Sequence, residues 1–424
     1  MRIKEILLQG SERFPVIVGN DDMPMLYPNL YLLTMSRKRD ALNTMKAKCR
    51  TVMHLYSWCE LNNIVIESRF KDGQLFNAQE IESLCASLSE EYSFANDKED
   101  RNEKIRISTT NIIELNFKLP KNLKKYVHNN TYNNRLIYVC RYMEWLIDHL
   151  MSGVSRETGV YARTMLDREK MIKDLNNSKF HSRNDSQIKG LSSGVQEILY
   201  NVIDSQNESN PFVYDFVKLR NHLFVYLSLA TGMRRGEMLK LKNSHFNVAT
   251  KGLTVERNPD DPDDKRSTEP NVKTNSRILK INPDICKLLI KYLQQRSNLK
   301  KARAHPFLFV SRTGSPLSYS SVGSLYAKLK KKVPELFDEK LSQHVLRHQW
   351  NKNFSEEMKL KKLPDEQIDT FRKVLMGWSA TSLMPERYNK EFITEQANEL
   401  SVLMQDKVFN VVKDSNIKND KSSK

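Results

Sequence analysis

A histidine and an arginine three residues apart, His344 and Arg347, carry side chains suited to phosphate chemistry. On a helix, residues with this spacing share one face, so the imidazole and the guanidinium would lie side by side. A guanidinium can bind two oxygens of an anionic phosphate at once, and an imidazole can carry a proton near neutral pH. The spacing therefore predicts a phosphate site on a helical face.

Tyr388 is the candidate nucleophile, and no other tyrosine follows it in the chain. A free phenol, with a pKa of about 10, attacks poorly unless its neighbours stabilise the phenolate. Arg234 follows a strongly apolar helical stretch, and Glu237 lies three residues further on, where it can brace the guanidinium. Trp378 adds an indole N–H donor and no acceptor. These residue types indicate a nucleophile near donors for a phosphate.

A lysine is the candidate acid. Lys273 lies between two alternating stretches, 252–257 and 277–281, that predict a β-hairpin. From a hairpin tip, a flexible ammonium can reach into a groove. By residue type alone, Lys265 and Lys280 are alternatives for the same role.

The charge of the chain favours a polyanionic partner. The 424 residues carry a formal net charge of +17, with a pI of about 9.4 and a mean hydropathy of −0.59. Such a balance is most often found in proteins that bind nucleic acid, although a basic ribosome-associated factor is an alternative. No apolar run approaches the roughly 20 residues of a membrane span, and no secretory signal is evident. We therefore expect a soluble cytoplasmic protein without a membrane partner.

The five cysteines are scattered and form no Cys-x-x-Cys pair, so they are predicted to be core residues in a reducing compartment. Periodicity predicts a mainly α-helical protein with a small antiparallel β-sheet (α+β), whose first long helix begins near Ser36. Five parts are expected: a short N-terminal segment 1–35, a helical domain 36–178, a polar linker 179–194, a second domain 195–412 and a basic tail 413–424.

Three boxes in the second domain resemble those of tyrosine recombinases, the family that includes lambda integrase, Cre and the Xer recombinases. They are TGMRRGE at 231–237, HVLRH at 344–348, and GW followed by a tyrosine over 377–388. The resemblance covers the carboxy-terminal half in the family's order, with Lys273 at the hairpin where the family has its lysine. It implies a catalytic domain at 195–412 and a core-DNA-binding domain at 36–178, which together close as a clamp on DNA.

The resemblance also implies roles for individual residues. Arg234 and Arg347 would hold the non-bridging oxygens of the scissile phosphate, and Trp378 would donate to the same phosphate. Guanidinium groups can supply the charge stabilisation that magnesium supplies elsewhere. The family resemblance therefore implies no metal and no other cofactor.

In the same way, Tyr388 would attack phosphorus, giving a 3′-phosphotyrosine and a free 5′-hydroxyl. His344 would handle the proton of the tyrosine, and Lys273 would protonate the leaving 5′-oxygen. Because the tyrosyl ester conserves the energy of the broken diester, rejoining would need no ATP. The interval between Trp378 and Tyr388 is ten residues, one more than is usual in the family. Whether Tyr388 acts in its own subunit or in a neighbour's is left open.

The expected function is site-specific recombination by an integrase of a mobile element. Its expected partners are double-stranded DNA carrying recombination sites and three further copies of the chain, forming a homo-tetramer on two duplexes. A directionality factor or a host DNA-bending protein could assist. The alternatives are a Xer-like resolvase, a type IB topoisomerase-like enzyme and a catalytically inactive DNA-binding regulator.

Two features invite other interpretations. His344 and His348 have the spacing of half a zinc site, but Val345 replaces the glutamate of the usual motif and no third ligand is evident. The acidic stretch 260–264 is unexpected in a DNA-binding domain. It is either a solvated loop that points away from phosphate or a contact for a basic neighbouring subunit.

Overall fold

The computed structural model describes residues 1–8, 12–91, 125–180, 190–266, 269–336, 341–386 and 401. The chain divides into two compact units, Met1–Asp185 and Ser186–Lys424, which we call unit 1 and unit 2. Tyr388 and the predicted tail 413–424 lie outside the described residues. Within the described ranges, no helix is both long enough and apolar enough to cross a membrane.

Unit 1 is a helical domain with one β-hairpin. Its strands are β1 (Arg2–Leu7) and β2 (Arg13–Val18), paired antiparallel with Arg2 opposite Val18. Its helices are α1 (Leu26–Tyr31), α2 (Leu42–Leu61), α3 (Ile66–Lys71), α4 (Ala78–Ser89), α5 (Asn129–Met151) and α6 (Gly159–Asn177). The apolar face of α5 is buried, with Leu136, Val139, Met143 and Ile147 all in the core.

The first long helix begins later than predicted. Its first residue is Leu42, six residues past the predicted start at Ser36, and its N-cap is Ala41. Ser36 instead ends a π-helical turn and is buried, and its hydroxyl accepts a hydrogen bond from Nζ of Lys48 at 2.8 Å. Serine is a favoured N-cap because its oxygen can accept from free backbone N–H groups. Here that oxygen satisfies a buried ammonium, a contact 12 residues away that local spacing does not reveal.

Unit 2 is mostly helical and carries a three-stranded antiparallel sheet. The strands, in the order β3-β4-β5, are β3 (Phe246–Asn247), β4 (Gly252–Val255) and β5 (Arg277–Lys280). The helices are α7 (Ser193–Ile203), α8 (Asp215–Thr231), α9 (Arg235–Lys240), α10 (Pro283–Ser297), α11 (Tyr319–Lys332), α12 (Gln343–Leu360) and α13 (Asp365–Met376). The predicted fold class, mainly α with a small antiparallel sheet, is confirmed.

Helix α8 is the centre of unit 2. It packs against α10 and α12, and its apolar residues point inward on nearly every side. Leu223, Phe224, Val225 and Leu227 have no exposed surface. The helix ends at Gly232, whose φ of 61° is the left-handed conformation of a glycine C-cap. Arg234 and Arg235, which follow this C-cap, are therefore attached to the end of a well-packed helix.

The five cysteines are free thiols, and four of them are buried. Burial raises the pKa of the Cys49 and Cys59 thiols to about 12, because the thiolate is disfavoured in an apolar core. The cysteines are thus core residues, as the sequence predicted.

Candidate active site

A cleft of about 460 Å³ in unit 2 brings together three of the six predicted catalytic residues, Arg234, His344 and Arg347. The first comes from the turn before α9, and the other two come from the first turns of α12. The cleft is also lined by residues that the sequence did not single out as functional: Arg235, Ser342, Gln343 and Met384.

Arg347 is held rigidly at the base of this cleft. Arg347 is only 2% exposed, and its Nη1 donates to the carbonyl oxygen of Gly232 at 2.6 Å. A Cβ at Gly232 would lie 2.7 Å from Cε of Met376 and 2.9 Å from the ring of Trp350, so no larger residue fits without movement. The left-handed turn at Gly232 thus aims its carbonyl at Arg347 and fixes one side of the guanidinium.

His344 is exposed and lies three residues before Arg347 on α12. The predicted shared face is present, since both residues line the same cleft. The rings of His344 and His348 lie edge to face, with centroids 4.7 Å apart. Among the described residues, no group of three or more His, Cys, Asp or Glu side chains is arranged to hold a metal ion.

Arg234 is anchored to Glu237, as its sequence spacing predicted. The backbone N–H of Arg234 donates to Oε2 of Glu237 at 2.9 Å, and Nη1 lies 3.7 Å from Oε1. Glu237 is only 1% exposed. Burial by itself would raise the pKa of this carboxyl, but Arg277, followed by Arg347 and the Thr274 hydroxyl, lowers it below the ordinary value. The residue is therefore a buried carboxylate that braces the first arginine.

Lys273 lies in the long connection between β4 and β5, four residues before β5 begins, and it is exposed. It lies outside the lining of the cleft, but its neighbours are anchored beside the site. The hydroxyl of Thr274 donates to Glu237, and the backbone N–H of Asn275 donates to the carbonyl of Gly377 at 2.8 Å. Of the alternative lysines, Lys280 donates to the carbonyl of Thr250 at 2.8 Å.

Trp378 packs against the arginine of the second box. It is 8% exposed, and the Arg347 guanidinium lies 5.5 Å from its ring centroid. Gly377, with a φ of 65°, ends α13 and directs the chain to this position. Tyr388, the predicted nucleophile, is not among the described residues, but Met384, four residues before it, lines the cleft.

Two arginines of this region were not predicted from the sequence. Arg277, at the start of β5, donates to Glu237 at 3.0 Å from Nη2. Arg235 lies with its guanidinium 4.6 Å from the ring centroid of Tyr319. The one available signal was the position of Arg235 beside Arg234, since nothing local connects Arg277 to a partner 40 residues away.

Two aspartates of the acidic loop 260–264 are buried. They therefore fit neither a solvated loop nor a contact for a basic neighbouring subunit, the two interpretations drawn from the sequence. Asp261 and Asp264 are 4% and 3% exposed. Asp261 lies 3.0 Å from Nζ of Lys242 and 3.9 Å from Nζ of Lys240, and Asp264 pairs with Arg266 at 2.5 Å. These carboxylates therefore compensate cations of their own domain.

Comparison with protein families gives a match over residues 201–392, to the phage integrase family. The matched range includes all six predicted catalytic residues. Residues 201–392 thus form a domain of the phage integrase family, and the family predicted from the three boxes is confirmed. A comparison with curated proteins found no match.

Several solved structures are distantly similar to this chain. The Tn1549 transposon integrase in complex with transposon right end DNA is 14% identical, with a TM-score of 0.46, and the similarity covers 87% of this chain and 100% of that one. XerH recombinase bound to a palindromic difH substrate is 17% identical, with a TM-score of 0.39, covering 64% and 78%. XerA recombinase is 17% identical, with a TM-score of 0.34, covering 87% and 98%. Similarities this distant assign no role to individual residues.

Proposed function

We propose that the protein is a site-specific DNA recombinase, the integrase of a mobile element, that cuts and rejoins duplex DNA through a 3′-phosphotyrosine without metal or ATP. The observation that carries this proposal is the cleft of the phage integrase domain. There, the guanidinium groups of Arg234 and Arg347 and the imidazole of His344 converge on one space. No common biological group suits two guanidinium forks better than a phosphate.

In the proposed reaction, Arg234 and Arg347 hold the non-bridging oxygens of the scissile phosphate, and Trp378 donates to the same phosphate. Phosphoryl transfer depends on charge stabilisation and in-line positioning. Because Arg347 is buried and already bonded to Gly232, its fork needs little reorganisation when charge develops on the phosphate. Arg234, with a side chain 32% exposed, is steadied by Glu237.

The covalent steps balance without a co-reactant. The Tyr388 oxygen forms a bond to phosphorus as the bond to the 5′-oxygen breaks. His344 accepts the phenol proton, and Lys273 gives a proton to the leaving 5′-oxygen. Attack by a 5′-hydroxyl from another strand reverses these steps and releases the tyrosine. The number of phosphodiester bonds is conserved, which explains why ATP would not be needed.

We further propose that the partner is double-stranded DNA with paired recombination sites, bound by a homo-tetramer in the cytoplasm at the nucleoid. The net charge of +17 supports a DNA partner, since each phosphate contact releases counterions. A directionality factor or host DNA-bending protein would act with this assembly. The clamp formed by the two units around DNA stays a prediction.

The proposal is tested by trapping the covalent intermediate. The full-length protein is incubated with a nicked suicide duplex that carries the cognate site, with EDTA and without ATP. A protein–DNA adduct stable to denaturation is expected, and a duplex with a scrambled site serves as control. Loss of the adduct in EDTA would contradict the mechanism. Adducts that form without any recombination of paired sites would instead indicate a topoisomerase-like enzyme.

Lys273→Ala is expected to slow cleavage by roughly 10²–10⁴-fold, the usual contribution of a general acid. A duplex with a 5′-bridging phosphorothioate should restore the rate, because a thiolate leaves without a proton. Single-turnover cleavage of the two substrates measures both effects. Lys280→Ala is the control and should cleave both at the wild-type rate, since its ammonium donates to the Thr250 carbonyl. Absence of rescue would move the acid role to another group, such as Lys265.

A further inference from the structure

We infer that Arg277 is a positioning residue for the proposed reaction. Through it, the segment that carries Lys273 is held against residues 231–237, which we call the arginine box. The inference rests on the proposed function and adds a residue to it. We call residues 271–276 the lysine segment. Arg277 follows this segment directly and begins β5.

One guanidinium joins three parts of unit 2. The Arg277 side chain is 6% exposed, and its Nη2 donates to Oε2 of Glu237 at 3.0 Å. Nε donates to the carbonyl of Leu375, near the end of α13, at 2.7 Å. Nη1 lies 3.3 Å from the Thr274 hydroxyl and 3.4 Å from Oε1 of Glu237, and donates to both. The arginine box, the lysine segment and the turn before Trp378 are thus connected through a single side chain.

Backbone contacts at two glycines show how closely these parts approach. A Cβ at Gly236 would lie 2.3 Å from the carbonyl oxygen of Asn271, at the start of the lysine segment. A Cβ at Gly377 would lie 2.8 Å from the carbonyl oxygen of Asn275 and 2.7 Å from Nη1 of Arg277. Both ends of the lysine segment therefore pack directly against the backbone of a glycine. No space is left there into which the segment could move.

The residues of the lysine segment that contact other parts of unit 2 flank Lys273 and leave its own side chain exposed. Asn271 lies before it, and Thr274 and Asn275 lie after it. The flexible ammonium can reach a leaving oxygen only if its backbone starts from a fixed position, because a misplacement of about 1 Å can cost a reaction about 10²-fold. Arg277 supplies this fixed position without contacting the phosphate. Its loss should therefore affect the protonation of the leaving group more than the grip on phosphate.

The test compares two substrates in the full-length protein. Arg277→Lys keeps the positive charge near Glu237 but loses the planar fork that reaches the three partners. We expect single-turnover cleavage of the ordinary suicide duplex to fall by about 10- to 100-fold. On the duplex with a 5′-bridging phosphorothioate, the rate should return to within about threefold of the wild type, because protonation is no longer required.

A second variant covers the case in which Arg277→Lys folds poorly. Thr274→Val keeps the size of the side chain and removes the hydroxyl that contacts Glu237 and Arg277. Thr274→Val should slow cleavage of the ordinary duplex less than Arg277→Lys does. The duplex with a 5′-bridging phosphorothioate should again restore the rate.

The matched control is Arg296→Lys. Arg296 is another buried arginine of unit 2, 4% exposed, and donates to the carbonyls of His305, Phe307 and Leu308. Its substitution should lower the melting temperature while leaving the ratio of the two substrate rates unchanged. If Arg277→Lys and Thr274→Val slow both substrates equally, the inference is wrong and Arg277 is only structural. A wild-type protein that forms no adduct on either substrate would instead contradict the proposed function.

Discussion

Tyr388→Phe is expected to abolish covalent attachment to DNA, with a loss of strand cleavage on the order of 10⁵-fold or more, as when other catalytic nucleophiles are removed. The substitution deletes only the oxygen that would form the ester with phosphorus. No other tyrosine follows in the chain, and the two arginines and the histidine of the cleft would remain. The measurement is the fraction of labelled suicide duplex retained by protein after denaturation.

Two further measurements distinguish loss of the nucleophile from loss of the folded structure. DNA affinity of Tyr388→Phe, measured by gel shift at fixed salt, should equal that of the wild type. Tyr214→Phe is the matched control, because Tyr214 is an exposed tyrosine of unit 2 that stacks on Arg312. It should form the normal amount of adduct. A persistent adduct in Tyr388→Phe would assign the nucleophile to another residue.

Arg347→Lys is expected to lower the rate of cleavage by about 10²–10³-fold, the usual effect of removing a donor to developing charge. The guanidinium can bond to the Gly232 carbonyl through Nη1 and still present other N–H groups to a phosphate. A lysine ammonium is a compact charge on a flexible stem and cannot reproduce the fork. Single-turnover cleavage at saturating protein measures the chemical step.

Arg372→Lys controls for the loss of a buried guanidinium. Arg372 is fully buried on α13 and donates to the hydroxyl of Ser355 at 2.7 Å. This variant should lose thermal stability but cleave at close to the wild-type rate. If Arg347→Lys lost no more activity than Arg372→Lys, the fork of Arg347 would not be bound to the phosphate.

The parts of the site that could be predicted are those set by local geometry. His344 and Arg347 share a helical face because they lie three residues apart, and both line the cleft. The contact of Arg234 with Glu237 has the same spacing. The left-handed end of α8 at Gly232 follows from glycine's tolerance of positive φ. Each of these features depends on a few neighbouring residues.

The parts that could not be predicted depend on how distant segments dock. The contact of Arg277 with Glu237 spans 40 residues, and that with Leu375 spans 98. Ser36 suits an N-cap by type, but a lysine 12 residues away takes its hydroxyl. In these cases the side chain has several acceptable local roles. Only the packing of the whole domain selects one of them.

The acidic loop 260–264 affects how the number of basic residues relates to DNA affinity. Lys242 is already paired with Asp261 and Asp263 of the loop, and Lys240 is paired chiefly with Glu269, which follows the loop. Cations paired in this way neutralise no phosphate, so they displace no condensed counterions when DNA binds. The salt dependence of binding should therefore count fewer phosphates than the 68 lysines and arginines of the chain suggest. The loop acts as an internal counterion and leaves the attraction for DNA to cations elsewhere on the chain.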